Sequence, residues 1–533
     1  MKWWGWGAPE KRFELGEDAR ALLAAELGVA EPATRVELES VVLPDAKPLP
    51  DSLARAAADG LLTGHEDRVR RAAGKSYPDL FRVRSGHPEA APDAVVMPGS
   101  AEQVAVVLQA SAAAGVAVVP FGGGTSVVGG VDPHPGPHGA AIALDLERLR
   151  HCEVDRTSLT ARLGPGLRGP AAEAALAEHG LTLGHFPQSF EYATIGGFAA
   201  TRSAGQASAG YGRFDELVTA VEMVSPAGRV ATLSTPHTAA GPALRELIVG
   251  SEGTLGVITD VTVRVRPVPA VTRYEGWFAA DFESGAEVVR ALAQADRLPD
   301  VTRLSDVEET RVSLALAGTA TWKRSLLDSY LRLRRRTGGC MLIVGWEGEP
   351  EDVERRRALS SRVMRAGGAV RLGASPGRAW SRGRFEGPYL RDELLDLGYF
   401  VETLETSHTW TRYQELYGAT GGALRDALAA QGTPGLVWCH LSHAYRDGAS
   451  LYFTFVAPRK AGAEIEQWRA VKTAACEAIV ATGGTITHHH AVGRDHAPYM
   501  SAEVGAVGIE ALRALKGRLD PAGIMNPGKL LPG

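Results

Sequence analysis

Short apolar runs separated by turn residues predict mixed strands and helices along the chain. Strand patterns fall at residues 116–119, 141–146, 159–163, 218–224, 230–233 and 256–265. A capping-box pattern at Ser100 and Gln103 begins a helix that we expect to end at Gly115. In the second half of the chain the predicted helices are longer, and strand patterns at 435–445 and 451–457 predict a hairpin. These patterns indicate an α+β protein.

A glycine-rich loop follows the apolar run at residues 116–119. Its members are Pro120, Phe121, Gly122, Gly123, Gly124, Thr125 and Ser126. Three residues without a Cβ allow successive N–H groups to point to one side as a nest for an anion, and hydroxyl groups can hold phosphate oxygens. The alternative, a glycine-rich surface turn, would be preferred if this loop stood alone.

Two further loops, at residues 194–205 and 250–259, repeat this combination of glycines and hydroxyl residues at strand boundaries. Close backbone approach in several places is what a long, planar, phosphate-bearing cofactor requires. A Rossmann site is disfavoured, because none of the loops is a G-x-G-x-x-G motif between a strand and a helix.

Composition limits the class of protein. The chain has 533 residues, 45% of them hydrophobic, and a net charge of −5, so we expect a globular protein of two or more domains with no nucleic-acid partner. The four cysteines show no C-x-x-C spacing, which suits a reduced cytoplasm. We find neither a secretion signal nor an apolar run of about 20 residues, so secretion and membrane spanning are both unsupported.

From about residue 92 to the C-terminal run 526–529, these loops resemble FAD-binding flavoproteins of the vanillyl-alcohol-oxidase type. The resemblance implies an α+β fold in which two small subdomains hold FAD beneath a cap domain built on an antiparallel sheet with helices. The implied division is an N-terminal helical extension (1–90), the FAD-binding domain (91–268), the cap or substrate domain (269–495) and a segment returning to the FAD domain (496–533). Members that tether FAD often place a histidine where this chain has Gly124 and Thr125, so we expect non-covalent FAD.

The same resemblance assigns cofactor contacts. Residues 120–126 would bind the pyrophosphate, the second loop would line the flavin, and the third would contact the isoalloxazine and ribityl region. The residues implied beyond the first loop are Gln188, Ser189, Thr194, Ile195, Gly196, Gly197, Thr201, Ser203, Gly205, Glu252, Gly253, Thr254, Gly256, Val257 and Ile258.

A narrower resemblance, over nearly the whole chain, is to the alkyldihydroxyacetonephosphate synthase family, which makes the ether bond of ether lipids. It is carried by residues 1–7, 389–392, 440–445, 451–455 and 487–493. The implied reaction exchanges the acyl group of acyl-dihydroxyacetone phosphate for a fatty alcohol, through a transient adduct at flavin N5 and without net oxidation. The alternatives are an FAD-dependent oxidoreductase acting on a 2-hydroxy acid or another alcohol, and a flavin-binding protein without catalysis.

Tyr452 and Arg391 are catalytic candidates implied by this resemblance. Tyr452 would transfer a proton at C1 of the substrate, a role that requires neighbouring cations to lower its pKa. The alternative is a cross-strand aromatic. Arg391 would hold phosphate or the flavin edge through its planar guanidinium. The alternative is a surface ion pair with Asp392 or Glu393.

His488, His489 and His490 would supply phosphate binding and proton relay, with His440 and His443 as further candidates for contacting the substrate. Three adjacent histidines after a threonine-rich strand are uncommon. On an extended strand His489 would face away from the other two. A structural polar cluster and a metal site are the alternatives, and we expect no metal.

The family resemblance also implies partners and location. The expected partners are acyl-dihydroxyacetone phosphate and a fatty alcohol, and a homodimer is expected. We expect a bacterial cytoplasmic protein, with peripheral membrane contact because such substrates are amphiphiles.

Overall fold

A computed structural model describes residues 1–316, 329–334 and 338–532, in which helices cover three main β-sheets. The longer helices are Glu17–Leu27, Tyr77–Arg84, Ala101–Ala114, Gly169–Ala177, Phe282–Gln294, Val307–Leu316, Pro350–Ala366, Ala374–Gly383, Gly387–Asp396, Tyr413–Ala430, Glu464–Thr482 and Met500–Leu519. The shorter ones include Asp51–Ala57, His65–Val69, Ile195–Ala200, Ser208–Tyr211, Phe214–Leu217 and Leu244–Ile248. The predicted α+β class is confirmed. None of the helices in the described ranges is long and apolar enough to cross a bilayer.

The first sheet leads directly into the glycine-rich loop. Its strands lie in the order Leu61–Leu62, Ala94–Val96, Ala140–Asp145 and Val116–Phe121. Ser100 caps the helix that precedes the last strand, and that helix ends at Gly115 (φ 63°) as predicted. Near the C-terminus the chain returns to this strand: Val118 N donates to Ile524 O at 2.8 Å, and Asn526 N donates to Val118 O at 2.9 Å.

The second sheet is antiparallel, and the third glycine loop leads into its strand Val257–Arg264. The predicted strand boundary at residues 194–205 is wrong, because this segment forms helix Ile195–Ala200 and the turn after it. The strands of the second sheet lie in the order Cys152–Asp155, Thr160–Leu163, Val257–Arg264, Val218–Ser225 and Gly228–Ala231. The strand pattern predicted at residues 256–265 becomes its central strand, Val257–Arg264. A short separate pair joins Leu181–Thr182 to Arg266–Pro267. Helices Gly169–Ala177 and Ile195–Ala200 cover the apolar face of the sheet.

The third sheet forms the body of the second half of the chain. Its seven antiparallel strands lie in the order Val370–Gly373, Val271–Ala279, Cys340–Gly348, Val301–Ser305, Leu436–Leu441, Gly448–Pro458 and Tyr399–Thr409. The predicted hairpin is present, as Leu436–Leu441 paired with Gly448–Pro458. Helices Phe282–Gln294, Pro350–Ala366, Tyr413–Ala430 and Glu464–Thr482 pack against it in the largest core cluster.

The N-terminal segment ties the first and third sheets together. Trp6 N donates to Asp392 Oδ2 at 2.6 Å, and Arg84 forms an ion pair with Asp392 at 2.9 Å. Because Asp392 belongs to helix Gly387–Asp396, beside the third sheet, residues 1–84 lie across both halves of the molecule.

Candidate active site

The glycine-rich loop presents a row of unpaired donors at the end of strand Val116–Phe121. In the described part of the chain, nothing accepts a hydrogen bond from the backbone N–H of residues 122 to 126. Ser126 Oγ is partly used, because Gly130 N donates to it at 2.9 Å. Successive free N–H groups form an anion nest, so this loop can hold a diphosphate.

Glycine is required in this loop because the second loop lies directly against it. A Cβ on Gly122 would lie 2.4 Å from Thr194 Oγ1, and a Cβ on Gly123 would lie 2.1 Å from the carbonyl oxygen of Tyr192. The second of these neighbours is backbone and cannot move aside. Thr194 also caps helix Ile195–Ala200 by accepting from Gly197 N at 3.3 Å. The two loops therefore form one wall.

The third loop extends the same wall to the segment that follows the histidine run. Glu252 N donates to Ala200 O at 3.0 Å, and Gly253 has a φ of 72°, which favours glycine. The buried Glu252 carboxylate accepts from Val492 N at 2.8 Å and Gly493 N at 2.7 Å. Burial raises the pKa of Glu252 to about 7.

Several residues assigned to the cofactor by resemblance have side chains engaged elsewhere. Ile195, Val257 and Ile258 lie in hydrophobic cores, so only their backbone could reach a ligand. Gln188 is exposed, and Ser203 Oγ lies 3.0 Å from His185 Nε2. Of the others, Thr201 Oγ1 donates to Gly197 O at 2.9 Å and Thr254 Oγ1 donates to Ser251 O at 2.7 Å. Gly196 belongs to helix Ile195–Ala200, and Ser189, Gly205 and Gly256 lie in turns or loops.

A carboxylate that sequence analysis missed fixes the histidine run. Glu405 is 1% exposed and accepts from Thr487 Oγ1 at 2.6 Å and from the backbone N–H groups of His488, His489 (3.0 Å) and His490 (2.7 Å). Three successive N–H groups can meet one carboxylate only if the backbone bends. The predicted strand before the histidines is therefore wrong: residues 484–493 form bends and turns. No local signal could reveal Glu405, which lies more than 80 residues earlier.

The third sheet places Glu405 beside the other polar candidates. Tyr452 is the register partner of both Glu405 and His440 on neighbouring strands. Residues directly opposite one another on adjacent strands project from the same face. Glu405, Tyr452 and His440 therefore form a row across three strands, with the histidine run lying over it.

A hydrogen-bonded chain runs through the histidines. Tyr445 Oη lies 2.8 Å from His488 Nε2, and His488 Nδ1 lies 3.0 Å from His489 Nδ1. The His443 ring stacks on His488 at a centroid distance of 5.2 Å, and its Nδ1 has no partner among the described residues. Burial lowers the pKa of all these imidazoles, so they are neutral near pH 7.

Ring nitrogens of His443, His488 and His489 lie within 4.8 Å of one another, a spacing that a metal ion could bridge. Both nitrogens of His488 already take part in the chain to Tyr445 and His489. A metal would have to replace one of these contacts, and the absence of a metal stays a prediction.

Tyr452 lies among imidazole rings at the centre of the cluster. Its ring stacks on His440 at 4.8 Å and on His489 at 5.9 Å, and meets the edge of His490 at 5.3 Å. Burial raises the pKa of the Tyr452 phenol, while Arg391 acts in the opposite direction. The expected lowering by cations is therefore not found, because burial outweighs them, and the phenol is protonated near pH 7.

Arg391 has partners that sequence analysis did not name. Nη2 forms an ion pair with Glu402 at 3.1 Å, Nη1 donates to Lys75 O at 2.9 Å, and Nε has no acceptor among the described residues. The alternative pairing with Asp392 or Glu393 is wrong, because those carboxylates pair with other arginines.

Lys75 is a second missed residue, whose backbone meets the end of the glycine-rich loop. Its backbone N donates to Ser126 O at 2.6 Å, and a Cβ on Gly74 would lie 2.5 Å from the same oxygen. Lys75 is 7% exposed, and its ammonium has no acceptor in the described ranges. Burial lowers the pKa of Lys75 to about 8. Because Lys75 is far from the glycine loop in the sequence, sequence patterns could not predict this contact.

His440, a candidate substrate contact, is engaged within the protein. Its Nδ1 lies 3.0 Å from Glu309 Oε1, and its Nε2 lies 3.0 Å from Arg303 Nη1. Burial lowers the pKa of His440 to about 4. Of the two histidines proposed to touch substrate, only His443 retains a ring nitrogen without a partner among the described residues.

Comparison with known proteins identifies the class and then the family. Family models described as "FAD binding domain" and "FAD linked oxidases, C-terminal domain" match residues 92–234 and 268–530. The protein is thus an FAD-dependent flavoprotein with the vanillyl-alcohol-oxidase type of fold.

It is 31% identical to the alkyldihydroxyacetonephosphate synthase of Dictyostelium discoideum (95% of this chain, 84% of that protein) and 34% identical to that of Trypanosoma brucei brucei (87% and 77%). A solved alkyldihydroxyacetonephosphate synthase structure superimposes with a TM-score of 0.85 at 28% identity, over 99% of this chain and 98% of that one. The chain belongs to the alkyldihydroxyacetonephosphate synthase family.

The residues on the wall fit FAD. The free N–H row at residues 122–126 and the unpaired Lys75 ammonium suit a diphosphate, and glycines at 122 and 123 keep the loops close enough to form one surface. Gly124 and Thr125 stand where members that tether FAD often place a histidine, so non-covalent binding of FAD stays a prediction.

Proposed function

We propose that this protein exchanges the acyl group of acyl-dihydroxyacetone phosphate for a fatty alcohol, forming the ether bond of an ether lipid. Family membership supports the reaction. The observation that carries it here is the histidine run fastened by Glu405 over Tyr452, next to the wall formed by the three glycine loops. Bound FAD would supply an electron sink at the substrate carbon.

The protonation states divide the roles within the cluster. The Tyr452 phenol is protonated, so it would donate a proton or hydrogen bond to the substrate. The neutral His489 imidazole, stacked beside it, would accept a proton at C1. Arg391, with one unpaired N–H, together with His490, would bind the substrate phosphate. Residues 122–126 and Lys75 would hold the cofactor diphosphate.

Incorporation of labelled fatty alcohol tests this function. The holoenzyme, supplied with acyl-dihydroxyacetone phosphate, should form labelled alkyl ether without an electron acceptor. Tyr452→Phe should lower this rate by about 10²- to 10⁴-fold with an unchanged flavin spectrum. Tyr399→Phe, which loses a phenol bonded to Gly28 O at 2.9 Å, is the matched control and should keep its rate. Flavin bleaching by a 2-hydroxy acid under anaerobic conditions, without ether formation, would instead identify an oxidoreductase.

We also propose a homodimer and peripheral membrane contact in a bacterial cytoplasm. The amphiphilic substrates support contact with lipid, and helix Met500–Leu519 exposes Val504 and Val507. Light scattering should give twice the chain mass of 56.4 kDa. Flotation with anionic vesicles should carry the wild type upward and should carry less of a Val507→Ser variant.

A further inference from the structure

A polar cavity borders the histidine cluster at His488. Its volume is about 690 Å³, and it lies between residues 202–216, which include the start of helix Phe214–Leu217, the hairpin of the third sheet and the start of helix Met500–Leu519. Among its lining side chains are Arg213, Tyr445, Thr485, His488 and Glu503. A cavity of this size and polarity holds water.

The Tyr445 hydroxyl joins this cavity to the histidines. Tyr445 lines the cavity and its Oη lies 2.8 Å from His488 Nε2. His488 Nδ1 is in turn 3.0 Å from His489 Nδ1, and the His489 ring lies against Tyr452. These distances form a hydrogen-bonded chain from Tyr445 at the cavity to His489, whose ring stacks on Tyr452.

We infer that Tyr445, His488 and His489 form a proton wire that exchanges the substrate proton with water in this cavity. The inference rests on the proposed function for the identity of the substrate, and assigns Tyr445 the role of a positioning and relay residue.

The wire conserves protons and electrons. When His489 Nε2 takes a proton from C1, the C–H electron pair stays with the substrate. The Nδ1 proton of His489 passes to His488 Nδ1, the Nε2 proton of His488 passes to Tyr445, and the phenol proton of Tyr445 passes to cavity water. The reverse shift returns a proton to the substrate and restores every tautomer, so one removal and one return complete a cycle.

The surroundings favour a neutral wire. Burial raises the pKa of the Tyr445 phenol to about 12, although Arg213 acts in the opposite direction. Burial also lowers the pKa of His488 and His489, which keeps both imidazoles uncharged. Glu405 is committed to the backbone N–H groups of the run. Because the proton moves by tautomer exchange of His488 and His489, neither ring has to remain charged while it is buried.

Removal of one hydroxyl tests the wire in two ways. With substrate deuterated at C1, wild-type product should lose label to water, whereas Tyr445→Phe product should retain most of it. Independently of any substrate, exchange of the His489 ring N–H with water, followed in ¹⁵N-histidine spectra, should slow at least tenfold in Tyr445→Phe. Tyr399→Phe should match the wild type in both measurements.

The outcomes separate this inference from the proposed function. Unchanged ring N–H exchange in Tyr445→Phe would overturn the wire whether or not ether is formed. Slowed exchange in a protein that makes no ether would support the wire and reject the proposed reaction. Label loss that is equal in Tyr445→Phe and wild type would also overturn the wire.

Discussion

Glu405→Gln is the sharpest test of how the histidine run is held. Glutamine keeps one oxygen, which can remain at the position that accepts from Thr487, His489 and His490. Its NH₂ group would replace the oxygen that accepts from His488 N, so two donors would face each other. A hydrogen bond to a buried charge contributes about 1.5–3 kcal/mol, and an unsatisfied buried donor costs about 1–3 kcal/mol. The local loss should be about 3 kcal/mol or more.

Amide hydrogen exchange measures this loss where it occurs. Because about 1.4 kcal/mol corresponds to a factor of ten, exchange at residues 488–490 should accelerate by roughly 100-fold or more. Glu415→Gln is the control, since Glu415 forms an exposed ion pair on helix Tyr413–Ala430 worth less than about 1 kcal/mol. Ether formation should fall with the loss of order, while protection in the second sheet stays unchanged.

The pH dependence provides the refutation. The Glu405 pKa lies well below its ordinary 4.5, and the hydrogen bond that the carboxylate accepts from Thr487 acts in this direction. The stabilisation that the ionised Glu405 carboxylate provides is therefore present above about pH 4.5 and is lost as the pH falls through the pKa of Glu405 in the folded state. The difference between wild type and Glu405→Gln should be constant from pH 5 to 8. Exchange at residues 488–490 within threefold of wild type at pH 7 would refute the anchoring argument.

Three further changes test the cofactor wall. Gly123→Ala drives a Cβ into backbone and should abolish flavin binding, judged by the absorbance of the purified protein, whereas Gly418→Ala, with open space around its Cβ, should bind flavin normally. Lys75→Met should weaken FAD binding to apoprotein by about 10-fold or more, as a lost charge-assisted contact predicts, and an unchanged dissociation constant in a fluorescence titration would remove Lys75 from the site. Because folding raises the pKa of Glu252 to about 7, its stabilisation is complete below about pH 4.5 and is lost as the pH rises to 7. The free energy of opening at residues 492–493 should therefore fall over that interval and then level off, in hydrogen exchange corrected for intrinsic rates.

Sequence patterns predict the parts of this site that are local. The run from strand into three glycines, the helix ending at Gly115 and the hairpin depend on neighbours within a few residues, and each is present. The hairpin connection lies at residues 442–447, a few residues earlier than the predicted strand bounds imply. The roles of the site residues remain proposals, but the three loops that the sequence singled out do contact one another.

Interactions between segments that are distant in the sequence could not be predicted, because they depend on how the chain folds back on itself. Glu405 meets the histidines, and Lys75 meets Ser126, only because sheet register and chain return bring them together. The predicted lowering of the Tyr452 pKa is wrong for a related reason, since burial depends on the packed cluster and outweighs the nearby Arg391.

Two carboxylates from different halves of the molecule hold one short segment. Glu405, on the third sheet, accepts hydrogen bonds from the backbone N–H groups of residues 488–490. Glu252, on the third glycine loop, accepts them from the N–H groups of residues 492–493. Only Ala491 separates these anchors, and its φ of 73° is one that residues with a Cβ rarely adopt. Such a backbone persists where its surroundings over-determine it. The position of the imidazoles relative to the cofactor wall is thus set jointly by both halves, so a variant at either anchor should impair catalysis before it unfolds either half.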